Sequence, residues 1–288
     1  MRGDSMSEDS PVVSRRTLLA FVLGGGTVAA VDSLADFAND RSDLPTAEDT
    51  KNPSEDRQTD MQTFRAETVG THVINRGSHR GENNFAYFLE SSSLGLDQSQ
   101  PDEVYSSLTV KLDQAWRQPT ESDTAKIFWA GCNLSAGLAG QGGHPPTGDD
   151  GWSVRAFTRG PVSSGEVAVG AYVYHLDQSG DFGDSWQWPD TLAVGDWNRI
   201  ESYVKLNSVT EGSANRDGIV QMWLDDDLQI DRRNLRWRTT ERLGFDRLGP
   251  GSYWGGSTVS PANNVLYYDR FAYTRDVGTV DRSLGTNL

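Results

Sequence analysis

Short runs of alternating apolar and polar residues fill the chain from about residue 65 to residue 275, and turn residues separate them. The clearest runs are 105–112, 126–130, 153–158, 167–175, 200–206, 219–224 and 266–273. Such runs, divided by Gly, Asn, Asp or Pro and without a helical period, are typical of an all-β protein. We therefore predict a β-sandwich or jelly roll of two antiparallel sheets, which a chain of this length accommodates as one domain.

The two ends of the chain have a different composition. Residues 1–31 contain Ser14-Arg15-Arg16-Thr17-Leu18-Leu19 and an apolar run to Val31, a pattern typical of a twin-arginine export signal. The apolar run is shorter than the roughly 20 residues of a spanning helix, but no clear cleavage site follows, so a retained signal anchor is the alternative. We predict a secreted protein with an acidic disordered linker over 32–64, a folded domain over 65–276 and a C-terminal tail over 277–288.

The charge balance restricts the possible partners. Asp and Glu number 41 against 26 Lys and Arg, which gives a formal net charge of −15. An acidic chain with so few lysines resembles proteins from salt-loving organisms, although an ordinary acidic secreted protein is the alternative. This balance argues against nucleic acid as a partner, and against a membrane partner beyond the signal anchor. The single Cys132 forms no intrachain disulfide, so an exported fold must be stable without one.

Two predicted strands carry polar side chains in alternate positions. Ser153 and Arg155 should share one face of a sheet, and Tyr172 and Tyr174 should likewise share one face. A cation, a hydroxyl and two phenols make a poor hydrophobic core but a good surface for an anionic sugar. Nearby cations also favour a phenolate, which could transfer a proton. The alternative is that the tyrosines are structural, since Tyr is favoured in strands.

Lys126 lies in the apolar run Ala125-Lys-Ile-Phe-Trp-Ala-Gly131. Regular alternation would place Lys126, Phe128 and Ala130 on one face. A lysine in such a strand is either an edge residue that reaches solvent or a group of a functional site. The scarcity of lysine in this chain favours the second interpretation.

Weaker candidates lie elsewhere in the sequence. His79 and His144 fall in predicted loops and could reach a cleft. Arg236 and Arg238 share a face and would either flank a groove for a polyanion or be plain surface charge. His175 should point away from the face that carries Tyr174, so it is expected to pack or to cap.

Several common site patterns are missing from the sequence. No Glu-x-Asp-x-x-Glu strand supplies the carboxylate pair of a sandwich-type glycoside hydrolase. The acidic run 225–227 and Asp231 could suggest calcium, but acidic hairpin tips are usually only solvated. No His/Cys cluster has zinc spacing, and no glycine loop has the phosphate-binding pattern. We therefore predict no metal and no cofactor.

An ordered series of short motifs extends through the predicted domain. It comprises Lys126, Gly151-Trp-Ser153-Val-Arg155, Tyr172-Val-Tyr174-His175, Gly183-Asp184, Trp197, Glu201, Lys205-Leu-Asn207, Asp217-Gly218, Trp223 and Gly255-Gly256. From about residue 105 to residue 273 the chain resembles polysaccharide lyase family 14 and its jelly-roll relatives, a group of alginate and glucuronan lyases. The resemblance implies a concanavalin A-like jelly roll whose concave sheet forms the substrate cleft.

The resemblance also implies an active site. Its catalytic candidates are Lys126, Ser153, Arg155, Tyr172 and Tyr174, and the substrate-binding candidates are His79, His144, Lys205, Asn207, Arg236 and Arg238. The leading hypothesis is a secreted lyase that cleaves an anionic polysaccharide, a polyuronate, by β-elimination. Arg155, helped by Lys126, would neutralise the carboxylate, the tyrosines would act as base and acid, and Ser153 would orient the substrate or its neighbours. The alternatives are a non-catalytic carbohydrate-binding module and, with less support, a glycoside hydrolase.

Overall fold

The computed structural model describes residues 63–82, 87–88, 100–133 and 139–275. The predicted export signal, nearly all of the predicted linker and the predicted C-terminal tail lie outside the described residues. Within the described part, no helix is long and apolar enough to cross a membrane.

The regular elements of the described residues are fifteen β-strands, which confirms the prediction of an all-β protein. They are β1 (Thr63–Ile74), β2 (Gly81–Glu82), β3 (Tyr87–Phe88), β4 (Glu103–Leu112), β5 (Thr124–Asn133), β6 (Gly151–Ser163), β7 (Glu166–Tyr174), β8 (Asp184–Ala193), β9 (Asn198–Lys205), β10 (Val209–Thr210), β11 (Ser213–Ala214), β12 (Gly218–Leu224), β13 (Asp227–Leu235), β14 (Arg247–Gly255) and β15 (Asn264–Thr274).

The strands form two large antiparallel sheets. One sheet has seven strands in the order β13-β12-β9-β4-β15-β1-β2, and the other has six in the order β3-β14-β5-β6-β7-β8. A short hairpin of β10 and β11 stands apart from them. Strands distant in sequence are neighbours in both sheets, as expected for the predicted jelly roll, whose fold class is confirmed.

The hydrophobic core lies between the two sheets and draws on alternate residues of each strand. In β6 the inward side chains Trp152, Val154 and Ala156 are buried in this core. Trp152 packs against Trp237 at 5.4 Å and against Phe245 at 4.8 Å between ring centroids. Each large apolar side chain buried in this way contributes about 1.5–3 kcal/mol to stability. The outward side chains of the same strand are not part of this core and can form a functional site.

A β-bulge in β5 changes the expected faces of that strand. Lys126 lies opposite Phe157 of β6 and Ala130 lies opposite Val154, so four steps along β5 match three along β6. The extra residue lets Ile127 and Phe128 both face the core. The prediction that Phe128 and Ala130 share a face with Lys126 is wrong, since both belong to the core.

Candidate active site

The pairing of β6 with β7 brings the polar pairs of these strands together. Ser153 lies directly opposite Tyr174, and Arg155 lies directly opposite Tyr172. Because the intervening residues of both strands face the core, all four side chains lie on the outer face of the six-stranded sheet. The sequence predicted the shared face within each strand, and the register adds the contact between the strands.

Arg155 is a buried cation with unused hydrogen-bonding capacity. Its guanidinium carbon stacks 4.1 Å from the centroid of the Trp129 ring, and Nη2 donates to the Gly140 carbonyl at 3.0 Å. Its Nε is buried without a partner, and no described carboxylate forms an ion pair with this side chain. Burial, with a smaller effect of the Arg247 charge, lowers the pKa of Arg155 to about 10. The group stays charged at neutral pH and has an N–H available for an anion.

The two tyrosines contact each other. Their rings meet edge to face at 5.4 Å, and their hydroxyl oxygens are 3.5 Å apart. Tyr174 accepts a hydrogen bond from the backbone N–H of Gly143 at 3.0 Å. Burial, then the contact with Tyr174, raises the pKa of Tyr172 above its usual range, and the opposing effect of Arg155 is smaller. The Arg155 charge acts in the expected direction, towards the phenolate, but burial outweighs it, so Tyr172 keeps its proton at neutral pH and can donate it.

Lys126 lies beside the phenol of Tyr172. Its Nζ is 4.6 Å from the centroid of the Tyr172 ring and 4.8 Å from that of Phe157. Burial is the main effect on the pKa of Lys126 and lowers it to about 7, with further lowering by the charges of Arg155 and Arg159. A substantial fraction of this amine is therefore neutral at neutral pH, and a neutral amine is a proton acceptor.

A glycine-rich loop covers one end of this cluster. Ser153 donates to the Gly140 carbonyl at 2.6 Å, and Arg155 donates to the same oxygen. Gly140 has a φ of +71°, in the left-handed region that favours glycine. Tyr174, held by Gly143, is fully buried. The Gly140 carbonyl therefore ties the loop to both Ser153 and Arg155.

The structure adds residues to the cluster that the sequence interpretation missed. Arg159 lies on the outer face of β6, four residues after Arg155, and simple alternation would have found it. The guanidinium carbon of Arg247 is 5.3 Å from the centroid of Trp129, on the same face. Tyr253 of β14 lies opposite Lys126. No local pattern in the sequence indicates Arg247 or Tyr253, because the register of β14 against the bulged β5 places them there.

The two candidate histidines lie near the margin of the cluster. His79 stacks on Tyr253 with ring centroids 5.9 Å apart, and its Nδ1 donates to the Trp254 carbonyl at 2.9 Å. His144 lies in the glycine-rich loop, where its backbone N–H donates to the Gln141 carbonyl at 3.0 Å.

Asn207 and Arg238 have internal roles. The side-chain oxygen of Asn207, which is fully buried, accepts from the backbone N–H groups of Trp237 and Arg238. Arg238, 2% exposed, donates to Asp102 at 2.7 Å and to the Leu243 carbonyl at 2.6 Å. Burial and these bonds commit both side chains to the fold, which corrects their interpretation as substrate-binding residues.

Lys205 and Arg236 also lie apart from the tyrosines. Lys205 is the last residue of β9 in the seven-stranded sheet, opposite Glu103. Arg236 follows β13 and forms a bidentate ion pair with Asp177. The structure does not bring these two residues into the cluster on the six-stranded sheet.

His175 packs inside the protein, as the sequence indicated, whereas the tip of the acidic hairpin is bound to Arg199 and not only solvated. His175 is buried, bonds to Asp184 at 2.8 Å and packs against Trp186 and Trp237. Asp225 at the tip of the β12–β13 hairpin accepts the backbone N–H of Arg199 at 2.7 Å. Within the described residues, no three His, Cys, Asp or Glu side chains are grouped to hold a metal ion.

Solved alginate lyases share this fold. Alginate lyase vAL-1 from Chlorella virus is 18% identical, with a TM-score of 0.56 over 74% of this chain and 90% of that one. A variant of alginate lyase Aly36B, in complex with an alginate trisaccharide, is 20% identical, with a TM-score of 0.53 over 73% and 80%. The marine PL-14 alginate lyase from Aplysia kurodai is 16% identical, with a TM-score of 0.50 over 74% and 82%. At these identities the likeness concerns the fold.

The family of the chain follows from its sequence. No curated protein matches it significantly, but residues 130–272 match the family model Polysaccharide lyase 14. The chain is a polysaccharide lyase with a jelly-roll fold. Within that class it is a polysaccharide lyase 14-like protein, as the motif series indicated. The matched segment contains Ser153, Arg155 and both tyrosines, and Lys126 precedes it.

Proposed function

We propose that this lyase cleaves a polyuronate, an alginate- or glucuronan-like polymer, by β-elimination. The observation that carries the proposal is a row of three basic side chains, Arg155, Lys126 and Arg159, without a described carboxylate partner. A polymer with one carboxylate on each sugar is the electrostatic complement of such a row. The trisaccharide held by the Aly36B variant makes alginate the first polymer to test.

Arg155 supplies the charge that the elimination needs. A carboxylate beside C5 must be neutralised before the C5–H bond releases its proton, and a guanidinium does this with paired N–H donors. The electrons of that bond then form the C4–C5 double bond, the bond from C4 to the glycosidic oxygen breaks, and this oxygen takes up a proton. Fixed donors that stabilise the enolate-like intermediate usually give the largest part of such catalysis.

Lys126 and Tyr172 divide the proton transfers. The amine of Lys126, with its pKa lowered to about 7, accepts the C5 proton. Tyr172, whose pKa is raised, donates to the departing oxygen. Their contact, 4.6 Å from Nζ to the ring centroid, keeps acceptor and donor close enough to serve one sugar linkage. Tyr174 and Ser153 position these groups through the loop at Gly140 and Gly143.

The direct test of the function is product formation. The protein is incubated with alginate and with glucuronan, and the ultraviolet absorbance of the unsaturated sugar is followed together with the release of reducing ends. Rising absorbance with either polymer supports the proposal. Binding without product would indicate a carbohydrate-binding module, and reducing ends without absorbance would indicate a hydrolase.

The pH dependence tests the assignment of the base. Because Lys126 must lose its proton to act, kcat/KM should rise with pH through about 7 and level off above it. Arg155, with a pKa of about 10, keeps its charge over this range. Initial rates between about pH 5 and about pH 9 show the transition. A rise that begins only in the alkaline range, where a phenol ionises, would assign the base to a tyrosine instead.

We also propose that the enzyme acts outside the cell, because that is where it would encounter a polysaccharide of this kind. The support is the twin-arginine motif at Arg15 and Arg16. Replacing both by lysine should keep the active enzyme inside the cell that makes it, while the unchanged chain is exported. Lyase activity in the medium and in the cell lysate measures the difference, and equal export of both chains would refute this route.

A further inference from the structure

We propose that Arg159 binds the carboxylate of a second uronate residue of the same polymer, so that the enzyme recognises two charges along its substrate. This inference rests on the proposed polyuronate substrate. It assigns a specificity-determining role to a side chain at some distance from the linkage that is cleaved.

The position of Arg159 suits such a role. Arg155 and Arg159 are four residues apart on the outer face of β6, about 13 Å along the strand. Lys126 lies between them, because both its Nζ and the guanidinium carbon of Arg159 contact the Phe157 ring, at 4.8 Å and 5.2 Å from the centroid. The three basic side chains therefore form a row along β6, with Arg155 and Tyr172 at one end and Arg159 at the other.

The hydrogen bonds of Arg159 leave it ready for an anion. Its Nη2 donates to the Ser185 hydroxyl at 3.3 Å, which is a long bond, and its Nε is buried without a partner. A buried N–H without an acceptor is unfavourable, and a carboxylate oxygen is a strong acceptor for it. A bound uronate would satisfy this donor and neutralise the charge together.

The missing acidic partner stands out in so acidic a chain. Seven other arginines form ion pairs with carboxylates: Arg199, Arg216, Arg233, Arg236, Arg238, Arg247 and Arg270. Arg159 forms none with a described residue, and its charge instead acts on Lys126, whose pKa it helps to lower. Like charges held close together destabilise a fold, and they tend to occur where a ligand of opposite charge binds.

Two variants with matched charge test the proposal. Arg159→Gln should raise KM for a polyuronate about tenfold, the effect of one lost charged hydrogen bond, with kcat changed less than about twofold. Arg233→Gln removes the same charge from β13 in the other sheet, where Arg233 pairs with Asp231, and should leave both constants unchanged. Arg159→Lys, which keeps the charge, should restore most of the affinity. This comparison distinguishes the loss of the charge from a folding defect in the glutamine variant.

The substrate provides an independent measurement. On a polymer with most of its carboxylates methyl-esterified, few chains offer two charges together, so the KM ratio of Arg159→Gln to the unchanged enzyme should fall towards one. Equal KM values for Arg159→Gln and Arg233→Gln on the charged polymer would overturn the proposal while leaving the lyase function intact. A loss of kcat at constant KM would likewise overturn it and assign Arg159 to the tuning of Lys126. An unchanged enzyme inactive on every polyuronate would instead refute the proposed function.

Discussion

Replacing Arg155 with glutamine should lower kcat/KM for polyuronate cleavage by at least about 100-fold, because the carboxylate beside the reacting carbon loses its counter-charge. Glutamine is polar and keeps an N–H donor, but it carries no charge. Arg155→Lys should lose about tenfold, since an ammonium group keeps the charge but not the planar fork or the stacking on Trp129. Rates of absorbance increase measure both effects.

The control for Arg155 is again Arg233→Gln, with the same change of net charge on the other sheet. Thermal unfolding of each variant shows whether the loop anchored at Gly140 remains folded. Full activity in a folded Arg155→Gln enzyme would remove Arg155 from the mechanism. Equal losses in Arg155→Gln and Arg233→Gln would mean that overall charge, and not this position, governs the rate.

Replacing Lys126 with methionine should have two opposite effects. Activity should fall by about 100-fold to 10,000-fold, the range for loss of a general base. Stability at acid pH should rise, because methionine fills a similar space against Tyr172 and Phe157 without a buried charge. A higher melting temperature in an almost inactive enzyme is the expected result.

The pH at which stability is compared matters for Lys126. Below about pH 7 both the folded and the unfolded chain hold the proton, and the folded state bears the full cost of burying it. Between pH 7 and the ordinary pKa of 10.5 the folded state releases the proton first, so the unchanged enzyme becomes more stable as pH rises. The advantage of Lys126→Met should therefore be largest below pH 7 and small above about pH 10.

Lys111→Met is the matched control for Lys126. Lys111 lies on the seven-stranded sheet and stacks on Trp197 and Tyr267, each 4.9 Å from Nζ to the ring centroid. Removing it should leave activity unchanged and give no gain in stability at acid pH. A lower melting temperature for Lys126→Met than for the unchanged enzyme at acid pH would contradict the unfavourable burial of the Lys126 charge.

Alternation along single strands made the grouping of these candidate side chains predictable. Ser153 with Arg155, and Tyr172 with Tyr174, each needed only the two-residue period of a strand. The contact between the pairs depends on the β6–β7 register, which joins residues about twenty positions apart and has no local signal. No sequence pattern indicates the β5 bulge either. The bulge nevertheless determines that Phe128 faces the core and that Trp129 stacks on Arg155.

Environment was harder to predict than position. The sequence interpretation treated the tyrosines as base and acid, and Lys126 as a helper of Arg155 in neutralising the carboxylate. Burial raises the pKa of Tyr172 and lowers that of Lys126, and the proposed assignment of base and acid rests on these shifts. Asn207 shows a related difficulty, since a motif that matches a lyase series in order can still consist of residues that hold the fold together.

Strand β6 separates two kinds of evolutionary constraint along one stretch of thirteen residues. Substitutions at Trp152 or Val154 are constrained by folding, because these side chains fill the core. Under the proposed function, substitutions at Arg155 or Arg159 are constrained by the polymer, because each side chain keeps a buried N–H without an acceptor in the described structure. Related enzymes could therefore change the outward-facing residues of β6, and with them the substrate charges that are recognised, while the core of the sandwich stays the same.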